Sequence, residues 1–143
     1  MKKVLTVAAA CFVLSMAAKA QQCEKTIKWT TTKSEFIDTS GNVQRSKDEV
    51  VTVTVNSKTV AITMHGPEGE EGMKGDVSDY ACNWKDDKNG KTVFKSIVTD
   101  TQGTERHATV TIESVNGQAT ILLRAEEEPQ SIKLTVASVE EIE

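Results

Sequence analysis

The chain has 143 residues, of which 17 are basic and 21 acidic, and its formal net charge is −4 with both histidines neutral. An acidic chain is repelled by the phosphate backbone, and no Lys/Arg cluster with interleaved aromatic residues offsets that repulsion. Composition therefore argues against nucleic acid as a partner.

The amino terminus has the layout of a cleaved secretory signal. Two lysines precede an uncharged apolar run over residues 4–18, and the small-residue sequence AKA follows. This run is shorter than the roughly 20 apolar residues of a spanning helix, and no other stretch is apolar enough to span. Removing residues 1–20 removes three lysines and no acidic residue, which changes the formal charge from −4 to −7. The sequence predicts a bacterial exported protein, periplasmic or extracellular and not membrane-spanning, with residues 21–143 as a single β domain.

After the signal, apolar residues recur at every second position in run after run, which is typical of half-buried strands. The runs, in chain order, are TIKWTTTKSEFID, VVTVTV, TVAITM, DYACNW, HATVTIES, QATILLRA and IKLTVASV. Together they predict about eight strands and no helix of useful length. The segment EEEP is expected to be a turn, and the ending SVEEIE a solvated terminus.

Turn signals separate these runs. Asn116-Gly117 lies between two alternating runs, and it favours a two-residue hairpin because both turn positions need φ > 0. Asn56-Ser57-Lys58, Asn89-Gly90 and Gln102-Gly103 separate other strands in the same way. The alternation is interrupted once, by the acidic, glycine-rich stretch GPEGEEGMKG over residues 66–75, which is expected to be a loop.

Consecutive hairpins predict an all-β fold, an antiparallel up-and-down meander of about eight strands. Its apolar face must be buried, either in a small barrel or half-open barrel or, as the alternative, in a β-sandwich. An eight-stranded barrel is filled by its own side chains or leaves room for one small ligand. Besides Tyr80 and Trp84 the predicted inward residues are mainly small and aliphatic, and no Arg or His is among them. We therefore expect a packed interior, with Leu122 as a single apolar side chain on the outer face.

Two cysteines remain after cleavage, Cys23 and Cys82. Within DYACNWK, Cys82 shares a face with Tyr80 and Trp84, where its thiol would be shielded, whereas a nucleophilic thiol needs a partly exposed, electropositive setting. Disulfides persist in exported proteins. The sequence therefore predicts a Cys23–Cys82 disulfide, with two free thiols as the alternative.

Metal sites find little support in the residue spacing. His65 and His107 are the only histidines, and neither an H-x-x-x-H nor a C-x-x-C pattern is present. Glu68, Glu70 and Glu71 offer the oxygen ligands that calcium prefers, although their spacing does not match a calcium-binding loop. A solvated acidic loop is the expected structure.

These observations favour an exported, non-catalytic β domain that binds a protein or a small ligand in the cell envelope, without a cofactor. Two alternatives stay open. One is a secreted hydrolase that uses Cys82 or an unrecognised polar cluster, and the other is a calcium-stabilised structural module. No motif in the sequence specifies a family.

Overall fold

The computed structural model describes residues 23–67 and 69–142. The predicted signal and Glu68 of the calcium hypothesis lie outside this range. Eight strands are present: β1 (Thr26–Ile37), β2 (Val43–Val55), β3 (Thr59–Gly66), β4 (Gly69–Trp84), β5 (Gly90–Asp100), β6 (Glu105–Val115), β7 (Gln118–Ala125) and β8 (Ser131–Ile142).

Every strand pairs antiparallel with the next one in the chain, and β8 pairs with β1 to close the ring. The predicted all-β meander is therefore confirmed, and it forms a barrel that is not evenly round rather than a sandwich. No helix within residues 23–67 and 69–142 is long and apolar enough to cross a membrane.

The alternation seen in the sequence produces the core directly, because every second side chain of a strand points to the same face. The buried apolar side chains come from all eight strands. They include Ile27, Trp29, Val51, Val53, Val55, Val60, Ile62, Trp84, Phe94, Val98, Val110, Ile112, Ala119, Ile121 and Leu134.

Two segments differ from their predictions. The stretch over residues 66–75 is not a loop, since Gly66 is the last residue of β3 and Gly69 already begins the 16-residue strand β4. Strand pairing uses backbone groups, and it therefore does not require the apolar alternation by which strands are recognised. The ending SVEEIE is solvated as predicted, since residues 138–141 are exposed. It differs in being part of a strand, because β8 continues to Ile142, which pairs with Thr26 of β1.

One end of the barrel, which carries the turns after β2, β4 and β6, is tied together across hairpins. The carbonyl oxygen of Lys88 accepts hydrogen bonds from the Gly117 N–H at 3.0 Å and from the Ser114 hydroxyl at 2.8 Å. The side-chain oxygen of Asn89 accepts the N–H of Asn116 at 2.9 Å. The Asn116-Gly117 turn has φ values of 53° and 84°, as the sequence predicts.

Aromatic packing closes the same end from inside. The rings of Trp29 and Trp84 stack with their centroids 6.0 Å apart, and the indole N–H of Trp84 donates to the hydroxyl of Thr92 at 2.7 Å. We call this end the closed end.

At the opposite end, which we call the mouth, lie the turns after β1, β3, β5 and β7. Two of these turns are held by an aspartate at their own start. Oδ1 of Asp38 accepts the N–H of Ser40 and of Asn42, and Oδ1 of Asp100 accepts two N–H groups of the turn after β5, all at 2.9 Å. Because each of these bonds stays within one hairpin, they do not connect neighbouring hairpins at the mouth.

Candidate functional site

A cavity of about 350 Å³ opens at the mouth. Its volume lies in the range of small-molecule sites, which span roughly 300–1,000 Å³. Apolar side chains from six strands line it: Phe36, Val51, Ile62, Met64, Met73, Leu123, Ile132 and Leu134. The prediction of a packed interior therefore holds for the body of the barrel and fails at the mouth.

The apolar lining is only partly covered by protein. Met64, Met73, Leu123 and Ile132 pack against the core and yet stay half-buried, whereas Ile121, one step deeper than Leu123 on the inner face of β7, is fully buried. Covering apolar surface is favourable by about 25 cal/mol per Å². An apolar molecule in the cavity would gain this free energy without any rearrangement of the core.

Ser34 adds a polar group to the cavity wall. A register shift in β1 between Thr31 and Lys33 changes the alternation, and Ser34 therefore follows Thr31 onto the inner face three residues later. The hydroxyl of Thr31 donates to the Val51 carbonyl oxygen at 2.8 Å. Oγ of Ser34, a residue that is 1% exposed, makes no hydrogen bond with any residue that the structure describes. The described residues therefore leave its hydrogen-bonding capacity unused.

Charged side chains also line the cavity at its rim: Glu49, Glu71, Asp100 and Arg106. The prediction that no arginine faces inward is therefore wrong. Arg106 lies two residues before Ala108 on the inner face of β6, outside the run in which the sequence alternates. Its Nη1 donates to Oε1 of Glu128 at 3.0 Å.

The turn after β7 is attached to β6 beside the mouth. Nδ1 of His107 lies 2.7 Å from Oε1 of Glu127, and the same oxygen accepts the His107 N–H at 2.8 Å. The hydrogen bonds from the His107 ring and backbone lower the pKa of Glu127 to about 2. The hydrogen bond to Glu127 raises the pKa of His107. His107 is exposed on the outer face, as the sequence predicts.

The predicted disulfide is present, with the Cα atoms of Cys23 and Cys82 5.8 Å apart. It lies at the closed end, where Tyr80, Cys82 and Trp84 pack against the core as predicted. The hydroxyl of Tyr80 donates to the carbonyl oxygen of Cys23 at 3.4 Å, and burial raises the pKa of Tyr80. Since Cys82 is bonded to Cys23, its sulfur is not a free thiol.

The glutamates of the calcium hypothesis are separated by the alternation of β4. Glu70 reaches outward to His65, whose Nδ1 lies 3.1 Å from Oε1 of Glu70, whereas Glu71 lines the cavity. Among residues 23–67 and 69–142, no group of three or more His, Cys, Asp or Glu side chains is arranged to hold a metal ion.

Leu122 is 37% exposed on the outer face, as predicted. Its partners across the sheet are Thr111 and Lys133. Leu122 is thus bordered by polar side chains on both neighbouring strands and forms no extended apolar surface with them.

Comparison with known proteins finds no matching family model, no matching curated protein and no matching solved structure. The function of the mouth therefore has to be inferred from its own geometry.

Proposed function

We propose that the protein is an exported, non-catalytic binding protein that holds a small, largely apolar molecule in the cavity at the mouth. One observation carries this proposal. Inward-facing apolar side chains stay half-buried around a cavity of about 350 Å³, and the buried hydroxyl of Ser34 in its wall lacks a partner among the described residues. The Cys23–Cys82 disulfide is consistent with an oxidising compartment, which supports a periplasmic or extracellular location.

The cavity volume sets the size of the ligand. At about 30 Å³ for each water molecule in the liquid, 350 Å³ corresponds to roughly a dozen waters. This space suits an apolar body of about ten non-hydrogen atoms. Burial contributes about 0.8 kcal/mol per CH₂ group. Burial of an eight-carbon chain would therefore contribute about 6 kcal/mol, which limits the dissociation constant to roughly 20 µM at best, and the cost of immobilising the chain weakens binding from that limit.

Octanol is a suitable neutral probe, and its binding can be followed in the methyl NMR spectrum. We expect saturable shifts at the methyl groups of Met64, Met73 and Leu123, which line the cavity. Leu123→Trp should weaken octanol binding by about ten-fold or more, because the larger side chain occupies the cavity.

Leu122→Trp provides the matched control. It introduces the same side chain one position earlier on β7, where residue 122 points to solvent, and octanol affinity should stay unchanged. The proposal is contradicted if octanol causes no saturable shift at the mouth, or if the two tryptophan variants bind octanol equally well.

The two alternatives from the sequence gain no specific support. A hydrolase acting through Cys82 would require a reduced thiol, whereas Cys82 is bonded to Cys23. Glu70 and Glu71 have separate environments, on the outer face and in the cavity. A small-molecule site at the mouth is therefore the function that the geometry favours.

A further inference from the structure

The rim of the mouth has one acidic side. Glu71 lies beside Met64 of β3, which in turn lies beside Val51 of β2. On β4, Met73 follows Glu71 by two residues, and Met73 lies beside Asp100 of β5. On β2, Glu49 lies two residues before Val51. Inner-face positions of β2, β4 and β5 thus place three carboxylates along one stretch of the rim. We call Glu49, Glu71 and Asp100 the acidic arc.

The facing side of the rim is apolar. Ile132 of β8 pairs with Phe36 of β1 and with Leu123 of β7, and all three residues line the cavity. A molecule in the mouth would therefore meet apolar side chains on one side and carboxylates on the other.

Positive charges close to the rim already have partners. Arg106, beside the end of the acidic arc, is paired with Glu128 of the turn after β7. The guanidinium of Arg45 lies over the ring of Phe36, 4.2 Å from its centroid. Neither side chain is therefore directed to a carboxylate of the acidic arc.

The side chain of Glu49 is only 18% exposed. Its ion-pair partner Lys47, whose Nζ lies 3.4 Å from Oε2 of Glu49, is 61% exposed. An ion pair with such an exposed lysine contributes little, about 0–1 kcal/mol, and a ligand can replace it. Glu71 makes no ion pair with any residue in the described part of the chain.

Asp100 keeps one oxygen for a ligand. Its Oδ1 accepts the N–H groups of Gln102 and Thr104, while Oδ2 accepts no hydrogen bond from the residues that the structure describes. The acidic arc therefore offers negative charge that the protein only partly neutralises.

The buried hydroxyl of Ser34 supports, independently of charge, a ligand site beside this arc. Ser34 is enclosed in the same cavity, and its Oγ has no partner among the described residues. Buried polar groups nearly always have a hydrogen-bond partner. Among the described residues, Nε1 of Trp29 and Oγ of Ser96 are also buried without one, but of these three side chains Ser34 is the one that lines the cavity, where a bound molecule can supply the bond.

We propose that the mouth selects small amphiphiles with a single cationic group, of the alkylammonium class. The apolar body occupies the cavity against Leu123 and Ile132, and the ammonium group lies at the acidic arc. This inference rests on the proposed function, and it adds the charge of the ligand. The formal charge of −7 on the chain without residues 1–20 also attracts cations at long range.

Three probes of equal chain length separate the two proposals: octylammonium, octanol and octanoate, titrated into the oxidised protein at low and high salt. We expect octylammonium to bind about ten-fold more tightly than octanoate, with octanol between them, and the difference to shrink as salt rises. If none of the three binds, the proposed function itself is overturned. If octanol binds and octylammonium binds no more tightly than octanoate, only the cationic preference is overturned.

Glu49→Gln tests the acidic arc, because it removes a charge and keeps the shape of the side chain. The ratio of octylammonium to octanol affinity should fall several-fold. Glu71→Gln, at a more exposed position, should lower the same ratio. It replaces Glu49→Gln in the test if that variant does not fold. Glu113→Gln is the matched control, since Glu113 is exposed near the closed end. An unchanged ratio in both arc variants would overturn the assignment.

Discussion

At the scale of the residue, Gly90 occupies a position where the ring of Trp84 leaves no room for a side chain. The Asn89-Gly90 pair predicts a turn, and a turn does lie between β4 and β5. Gly90 itself is the first residue of β5, and its φ is not positive. A Cβ atom at this position would collide with the indole ring of Trp84. The glycine was visible in the sequence, but the aromatic packing that requires it follows only from the fold.

Gly90→Ala should therefore destabilise the protein by about 1–3 kcal/mol, the usual cost of overpacking. The free energy of unfolding from urea denaturation measures this change. Gly72→Ala is the matched control, because a Cβ there meets only ordinary contacts and the φ of Gly72 is not positive. Equal stability of the two variants would show that Trp84 does not restrict position 90.

At the scale of the element, the turn after β7 illustrates a contact that local patterns do not encode. The sequence predicts EEEP as a turn, and the structure agrees. Yet Glu127 and Glu128 bind His107 and Arg106 of β6, about twenty residues earlier in the chain. Alternation and turn signals report on neighbours within a few residues. The register of the β6–β7 hairpin, in which Ala108 pairs with Ala125, brings the turn next to His107 and Arg106. Which side chains bond there depends on the path of the turn after β7, and the sequence pattern does not specify that path.

This attachment should depend on pH. The pKa of Glu127 is lowered from 4.5 to about 2, and its contribution to stability is therefore complete above pH 4.5 and lost as the pH falls towards 2. The pKa of His107 is raised above 6.5, and its contribution is complete below pH 6.5 and lost as the pH rises through the raised value. The turn should therefore be held most firmly between pH 4.5 and 6.5.

An NMR titration of the His107 ring measures the effect. Glu127→Gln should return the pKa of His107 towards 6.5, because the hydrogen bond to Glu127 is the main cause of the raised value. Glu126→Gln should change it less, since Glu126 acts on His107 only through its charge. A His107 pKa that is the same in Glu127→Gln and in the unaltered protein would contradict the contact.

At the scale of the whole molecule, the sequence predicts the barrel and its disulfide but not the difference between its two ends. Apolar alternation reveals the inner face only where that face is apolar. Glu71 and Arg106 continue the inner face past the last alternating apolar residues, and at these positions the pattern is lost although the strand goes on. The charged rim of the mouth includes such positions, whereas most apolar side chains that line the cavity belong to the alternating runs. Alternation identifies these apolar residues as inward-facing, but it does not show that a cavity remains between them.

Hydrogen exchange should report this difference directly. The amide of Gly117 donates to Lys88 of another hairpin, whereas that of Gly103 donates to Asp100 of its own turn. Exposing the Gly117 amide to solvent requires two hairpins to separate, whereas exposing the Gly103 amide requires only one turn to open. We expect the Gly117 amide to exchange at least about ten-fold more slowly than the Gly103 amide.

Asn89→Ala removes the side chain that accepts the Asn116 amide, and it should speed exchange at Asn116 without affecting Gly103. Equal exchange of Gly103 and Gly117 would mean that the closed end opens as readily as the mouth.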